Sequence, residues 1–385
     1  MARSAHDRRH PMIQSRRITR FGLPIALIFG LLTVSGCSDS NSSPATASQG
    51  DGHGGAQVQV EHPSEHLRVT EFPGGLVAAD LSRWREQVPD VKDIEIPASA
   101  DGASQKALFY DSGSDQEKPL LLVLHSWSTD YLQNIDIPIA QFAVANDWVF
   151  MHPDFRGQND GRPESTASDL VMSDMQDALD YARENANIDP QRIYLLGYSG
   201  GAMNAMHLAS RHPDVFAGVS LWVPVYDLIA WYQWNDSQGA KYAGEIAGAC
   251  GGEPEQGTDA YAECLERSPR SRLQDVRGEF PVHIAHGLGD ETVPPEQALR
   301  AFNDLAKEDD RIAPDLIEQL NAERSIPEAL SERSIHQDGD YPRFEEANAN
   351  VVLHLQSGPA DLVIFEGEHD MLYRPGLDWL ARQHK

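Results

Sequence analysis

From about residue 120 to the C-terminus, short unbroken apolar runs alternate with stretches whose apolar positions recur every three to four residues. The first pattern reads as strands buried on both faces, the second as amphipathic helices laid over them. Strands are expected at residues 120–125, 149–152, 192–196, 219–223, 282–286 and 361–365. Helices are expected at 137–147, 169–185, 202–211, 296–305 and 377–383. Strand–helix alternation of this kind predicts a mostly parallel, doubly covered α/β sheet. Ahead of it, a short helix at 81–87 and alternating strands at 91–96 and 106–110, joined by the turn residues Ala100-Asp101-Gly102, predict an antiparallel N-terminal lead-in.

Two stretches interrupt the alternation. Residues 231–277 contain Cys250 and Cys264 and are expected to sit over the strand ends as a cap. Residues 307–348 are charged, with short helices expected at 314–320 and 327–331. The N-terminus differs again. Arg16-Arg17-Ile18-Thr19-Arg20 precedes an apolar run from Phe21 to Val34, which is positive, then greasy, and too short for a comfortable span, as in an export signal. Residues 38–56 are small, polar and glycine-rich, a composition expected of a flexible tether. The domain proper is therefore expected over residues 57–385. An exported chain meets oxidising conditions, so Cys250 and Cys264 are expected to form a disulfide.

The 385 residues carry a formal net charge of −28. Residues 1–37 hold six Arg and one acid, so the remainder sets 25 Lys and Arg against 58 Asp and Glu, a net of −33. A field of that sign repels nucleic acid, and no basic patch offsets it. No HExxH, paired CxxC or EF-hand spacing is present, and the glycines at Gly52 to Gly55 follow no strand. No metal or other cofactor is expected.

The chemistry centres on Gly197-Tyr198-Ser199-Gly200-Gly201. Gly-x-Ser-x-Gly arises by chance about 0.1 times in a chain of this length. Here it directly follows an expected strand and opens an expected helix, the setting of the nucleophile elbow of the α/β-hydrolase fold. A serine hydroxyl needs a base beside it, and the base needs an orienting carboxylate; in this fold the chain order is Ser, acid, His. Asp290 lies in a glycine-rich loop after the strand at 282–286, and His369 follows the strand at 361–365. These three are the expected catalytic residues. Gly200 is expected to supply one oxyanion-hole N–H, and the loop His125-Ser126-Trp127-Ser128 the other, from Trp127 or Ser126. His286 and His354, within or beside strands, fit the base less well.

His152-Pro153-Asp154-Phe155-Arg156-Gly157, Asn187-Ile188-Asp189-Pro190-Gln191-Arg192-Ile193, the elbow, His286-Gly287 with Asp290, and Glu366-Gly367-Glu368-His369 together resemble the catalytic domain of prolyl-oligopeptidase-like (S9-type) serine hydrolases. The resemblance covers residues 120 to the end and implies that fold and the triad Ser199, Asp290 and His369. Tyr198, Phe155 and Arg156 are expected to contact substrate. Upstream there is no room for the propeller of the large peptidases, and the 79-residue gap from Asp290 to His369 is long for such a domain. Val34-Ser35-Gly36-Cys37 resembles the bacterial lipoprotein cleavage box, which implies lipidation of Cys37 and anchoring to a membrane, with Ser38 favouring the outer membrane. The expected function is hydrolysis of an ester, acylated glycan or peptide through an acyl-Ser199 intermediate. The alternative is a catalytically silent surface lipoprotein of the same fold that binds a ligand or partner.

Overall fold

A computed structural model of the protein describes residues 58–336 and 341–385. The export signal, Cys37, the tether and residue 57 of the expected domain lie outside the described residues. The described strands are β1 (Lys92–Pro97), β2 (Ser104–Tyr110), β3 (Lys118–Leu124), β4 (Val149–Pro153), β5 (Ile188–Tyr198), β6 (Gly218–Trp222), β7 (Val282–Gly287), β8 (Val351–Ser357) and β9 (Ala360–Phe365). They form one sheet in the order β1-β2-β4-β3-β5-β6-β7-β9-β8. Pairing is parallel from β4 across to β9, and antiparallel where β1, β2 and β8 join. This is the mixed, mostly parallel sheet of the α/β-hydrolase fold.

All seven residues of β3 are buried. Because side chains alternate across a strand, Leu120, Leu122 and Leu124 enter one core, while Leu121 and Val123 enter another on the opposite face. That two-sided burial explains why the central strands read as continuous apolar runs.

The helices are α1 (Leu81–Gln87), α2 (Ile137–Ala145), α3 (Asp169–Asn185), α4 (Gly200–Arg211), α5 (Leu228–Ser237), α6 (Lys241–Cys250), α7 (Asp259–Glu266), α8 (Glu296–Leu305), α9 (Pro314–Glu323), α10 (Glu328–Ser331), α11 (Pro342–Glu346) and α12 (Tyr373–Ala381). Residues of α1, α2, α11 and α12 line the core with Leu121, and those of α3 to α10 the core with Leu120. Start signals are local. The Ser168 side chain accepts the Val171 N–H at the head of α3, and Asp227 accepts those of Ile229 and Ala230 at the head of α5.

Most expected elements are present, with shifted ends. α4 begins at Gly200 rather than at 202, so the helix starts at the elbow itself. α12 begins at Tyr373 rather than at 377, with the Tyr373 hydroxyl donating to Ile135 O at 2.7 Å. β8 has no counterpart among the expected elements. It is an edge strand with only one partner, buried at alternating positions, and its short Leu353-His354-Leu355-Gln356 alternation trails a charged stretch. Between β6 and β7, α5, α6 and α7 form the cap, and Cys250 at the end of α6 is disulfide-bonded to Cys264 in α7.

Candidate active site

The site is built on the carboxyl ends of three parallel strands. β5 runs into Ser199, whose backbone has φ 56° and ψ −119°. A non-glycine residue held there stores roughly 1–3 kcal/mol of strain. The surroundings enforce it: the Ser199 N–H donates to Trp222 O at 2.9 Å, and its carbonyl accepts from Met203 N at 3.2 Å. The flanking glycines are steric necessities. A Cβ at Gly201 would fall 2.0 Å from Leu124 O, and one at Gly197 would fall 2.5 Å from the carbonyl of Gly201.

His369 follows β9 and Asp290 follows β7. His369 Nε2 lies 2.9 Å from Ser199 Oγ, and its Nδ1 lies 2.7 Å from Asp290 Oδ2. The carboxylate accepts only, so Nδ1 carries the proton and Nε2 is left to accept from the serine hydroxyl. Asp290 is fully buried, and its Oδ1 accepts the N–H groups of Thr292 at 2.8 Å and Val293 at 2.9 Å. Burial pushes this carboxyl upward, but the facing His369 and the hydrogen bonds from His286 and His369 outweigh it and hold Asp290 well below the usual carboxylate range. The His369 loop is pinned from behind by the chain before the sheet. Val69 N donates to Met371 O at 3.0 Å, Thr70 Oγ1 to Asp370 Oδ2 at 2.9 Å, and Arg68 pairs with Asp370 at 3.1 Å.

Gly200, after the serine, lies against the backbone of Trp127: a Cβ at Gly200 would stand 2.8 Å from Trp127 N. The Trp127 carbonyl is held by Asn159 N at 2.9 Å and its indole N–H by Glu245 Oε2 of α6 at 2.8 Å. Such an arrangement can relay a proton from Ser199 through His369 and offer the Gly200 and Trp127 amides to a developing oxyanion. Among the described residues no group of three or more His, Cys, Asp or Glu is placed to hold a metal ion.

Residues 139–318 match the model of the prolyl oligopeptidase family. That segment is similar to the α/β-hydrolase domain of that family. The matched S9 segment contains Ser199 and Asp290, while His369 lies beyond it. Acylamino-acid-releasing enzyme 2 of Oryza sativa subsp. japonica is 25% identical over 236 residues, covering 57% of this chain and 30% of that protein. Feruloyl esterase B of Neurospora crassa is 27% identical over 136 residues, 32% of this chain and 40% of that protein. A puromycin-hydrolyzing peptidase of Mycobacterium tuberculosis superimposes with a TM-score of 0.46 at 16% identity, covering 56% of this chain and 34% of that one. The chain thus spans less than half the length of each of these relatives.

Several residues expected at the site serve other contacts. Ser126 is not placed as an oxyanion donor: its N–H and hydroxyl both reach Gln133 Oε1, at 3.0 and 2.6 Å, which leaves Trp127. Tyr198 does not line a substrate surface. It is buried, its hydroxyl donates to His369 O at 3.0 Å, and its ring packs 5.2 Å from the His369 imidazole. Phe155 is buried and stacked on His125 at 3.9 Å. Arg156 is consumed by Asp174, through Nε at 2.6 Å and Nη2 at 2.9 Å, and by Asp101 at 2.8 Å.

The cap also contributes residues around the site, among them Trp231 and Trp234, two aromatics that the sequence offers for a substrate rim. Trp231 and Trp234 of α5 donate their indole N–H groups to the acid loop, at Thr292 O (2.8 Å) and Glu291 O (3.1 Å). The Trp127 and Trp231 rings meet edge to face at 4.9 Å. Glu245 could not have been found, since nothing in the local sequence of α6 ties its one Glu to Trp127, 118 residues away.

Proposed function

We propose that the protein hydrolyses ester or amide bonds by a double-displacement route on Ser199. Ser199 Oγ bonds to the carbonyl carbon while its proton passes to His369 Nε2. The carbonyl electron pair moves onto oxygen, facing the Gly200 and Trp127 amides. The oxyanion collapses, the leaving group departs with the proton from His369, and an acyl-Ser199 ester remains. Water, deprotonated by His369, then releases the acid and restores the serine. Asp290 holds the Nδ1–H tautomer throughout and stabilises the imidazolium. The supporting observation is the continuous hydrogen-bond relay from Ser199 through His369 to Asp290.

Ser199→Ala is expected to lower p-nitrophenyl acetate turnover by about a million-fold and to abolish labelling by a fluorophosphonate, with an unchanged melting temperature. An unlabelled wild-type protein would instead favour the silent, ligand-binding alternative. The relatives include proteins named for acylamino-acid release and for feruloyl ester cleavage, so the bond type is a matter for a direct panel: acetylated xylan, feruloyl esters and Pro-containing peptides. We further propose that the chain is exported and anchored through a lipidated Cys37. The motif at Val34 to Cys37 supports this, and Cys37→Ser should move the protein from the membrane fraction to the soluble one and stop incorporation of labelled palmitate.

A further inference from the structure

His286 is left unused by that mechanism, yet it touches the triad. It occupies the penultimate position of β7, has no solvent exposure, and sets its Nε2 2.8 Å from Val293 O and 3.2 Å from Asp290 Oδ2. Both neighbours are acceptors only, so Nε2 must carry the proton. A neutral imidazole has one proton, which leaves Nδ1 bare, and Nδ1 is buried without a hydrogen-bond partner. With Nε2 as the donor, Nδ1 faces no hydrogen-bonding side chain or backbone group, so the ring acts on Asp290 and Val293 through Nε2–H alone.

Asp290 thus accepts three hydrogen bonds, from Thr292 N and Val293 N at Oδ1 and from His369 Nδ1 at Oδ2, and the His286 Nε2–H, bonded to Val293 O, stands 3.2 Å from the same Oδ2. Those bonds engage both carboxylate oxygens and fix the carboxylate plane. We propose that His286 is a positioning residue for the triad, a second imidazole that shares Asp290 Oδ2 with His369, aims the carboxylate and limits how strongly it favours the His369 imidazolium. The proposal rests on the acyl-serine reading of the site. Other charged or titratable groups near Asp290 are Tyr198 at the end of β5, Arg324 just after α9 and the exposed Glu291. Each sits outside this group of contacts.

The sign of the effect follows. Without the His286 N–H, more of the Asp290 charge faces His369, so the His369 imidazolium is stabilised and the acid limb of kcat/KM moves to higher pH. His286→Phe is expected to raise that limb by about half a unit or more and to lower kcat roughly 10- to 100-fold, with KM changed less than about twofold. His286→Gln, whose amide N–H reaches the Nε2 position, should restore the limb and most of kcat. Rates are normalised to the fraction of protein titrated by a fluorophosphonate. A wild-type profile in His286→Phe, or a Gln variant no better than Phe, overturns the proposal. Imidazole ¹⁵N NMR of the wild-type protein tests it independently of any variant's folding. The Nε2–H tautomer of His286 is expected, and an Nδ1–H tautomer refutes it. If the wild type neither labels nor turns over ester, the acyl-serine reading fails, while the NMR result still reports on His286.

Discussion

Two regions meet at Ser199 and are held in place differently. The triad stands on the ends of β5, β7 and β9, three strands joined through parallel pairing with β6, and each triad residue is one to four positions beyond its strand. The cap, α5 to α7, has no strand in that sheet. It reaches the site through long side chains: Glu245 to the Trp127 indole, Trp231 to Thr292 O, and Trp234 to Glu291 O. The sheet thus fixes the nucleophile, base and acid by backbone geometry, and the cap tunes the loops between them by side-chain hydrogen bonds. Chemistry should therefore fail when the sheet side is altered and soften when the cap side is altered.

The largest break is on the sheet side. Asp290→Asn keeps the shape but offers His369 Nδ1 an N–H as readily as an acceptor, which disfavours the working tautomer. A loss of about 10⁴-fold in kcat with retained folding is expected, read by ester hydrolysis and thermal melting. A loss below about tenfold would mean that His369 is oriented by something other than Asp290.

Stability should divide along the same line. Cys250 and Cys264 close a loop of 14 residues within the cap, a cross-link worth about 3 kcal/mol. Changing both to Ser, or reducing the pair, is expected to increase proteolysis of residues 228–277 first, while burst labelling of Ser199 persists. Loss of labelling in step with cap cleavage would show that the two regions form one cooperative unit.

Acid should strike the sheet side instead. His207 in α4 and His283 in β7 are buried, and burial holds each down at about 4 from an ordinary 6.5. Between pH 6.5 and 4 the unfolded chain binds protons that the native protein refuses. Their neutral burial therefore costs nothing above 6.5, and stability falls with pH through that window and levels off below it. Each can remove up to roughly 3 kcal/mol. His207→Leu and His283→Leu should flatten the urea midpoint between pH 6.5 and 4; an unchanged slope would place the acid sensitivity elsewhere.

The same division explains what the chain discloses before folding. Ser199, Asp290 and His369 each follow an apolar run, so strand periodicity and a glycine-rich turn carry them in local pattern. β8 is hidden because an edge strand buried at alternate positions leaves only a four-residue alternation after a charged stretch. Tyr198, Phe155 and Arg156 lie in or beside family-like motifs, yet their side chains turn to His369, His125 and Asp174, directions that spacing alone does not encode. The contacts of Glu245 and His286 depend on partners 118 residues away in the first case and on the fold of the acid loop in the second. A pattern read along the chain registers which strand a residue follows. It does not register which side chain arrives from another element.

The smallest effect is the most selective test of the cap's role. Glu245 Oε2 accepts the Trp127 indole N–H at 2.8 Å, and Oε1 pairs with Lys241 at 3.1 Å. Glu245→Ala removes the acceptor from a tryptophan whose amide is the proposed second oxyanion donor, and a loss of about tenfold in kcat is expected. Glu245→Gln keeps an amide oxygen for the indole while giving up the charge for Lys241, so it should stay within about twofold of wild type, since the exposed Lys241 pair contributes little. Equal losses in both variants would assign the effect to the cap's charge. Equal retention in both would show that Asn159 alone holds the Trp127 loop, and that the cap covers the site without shaping it.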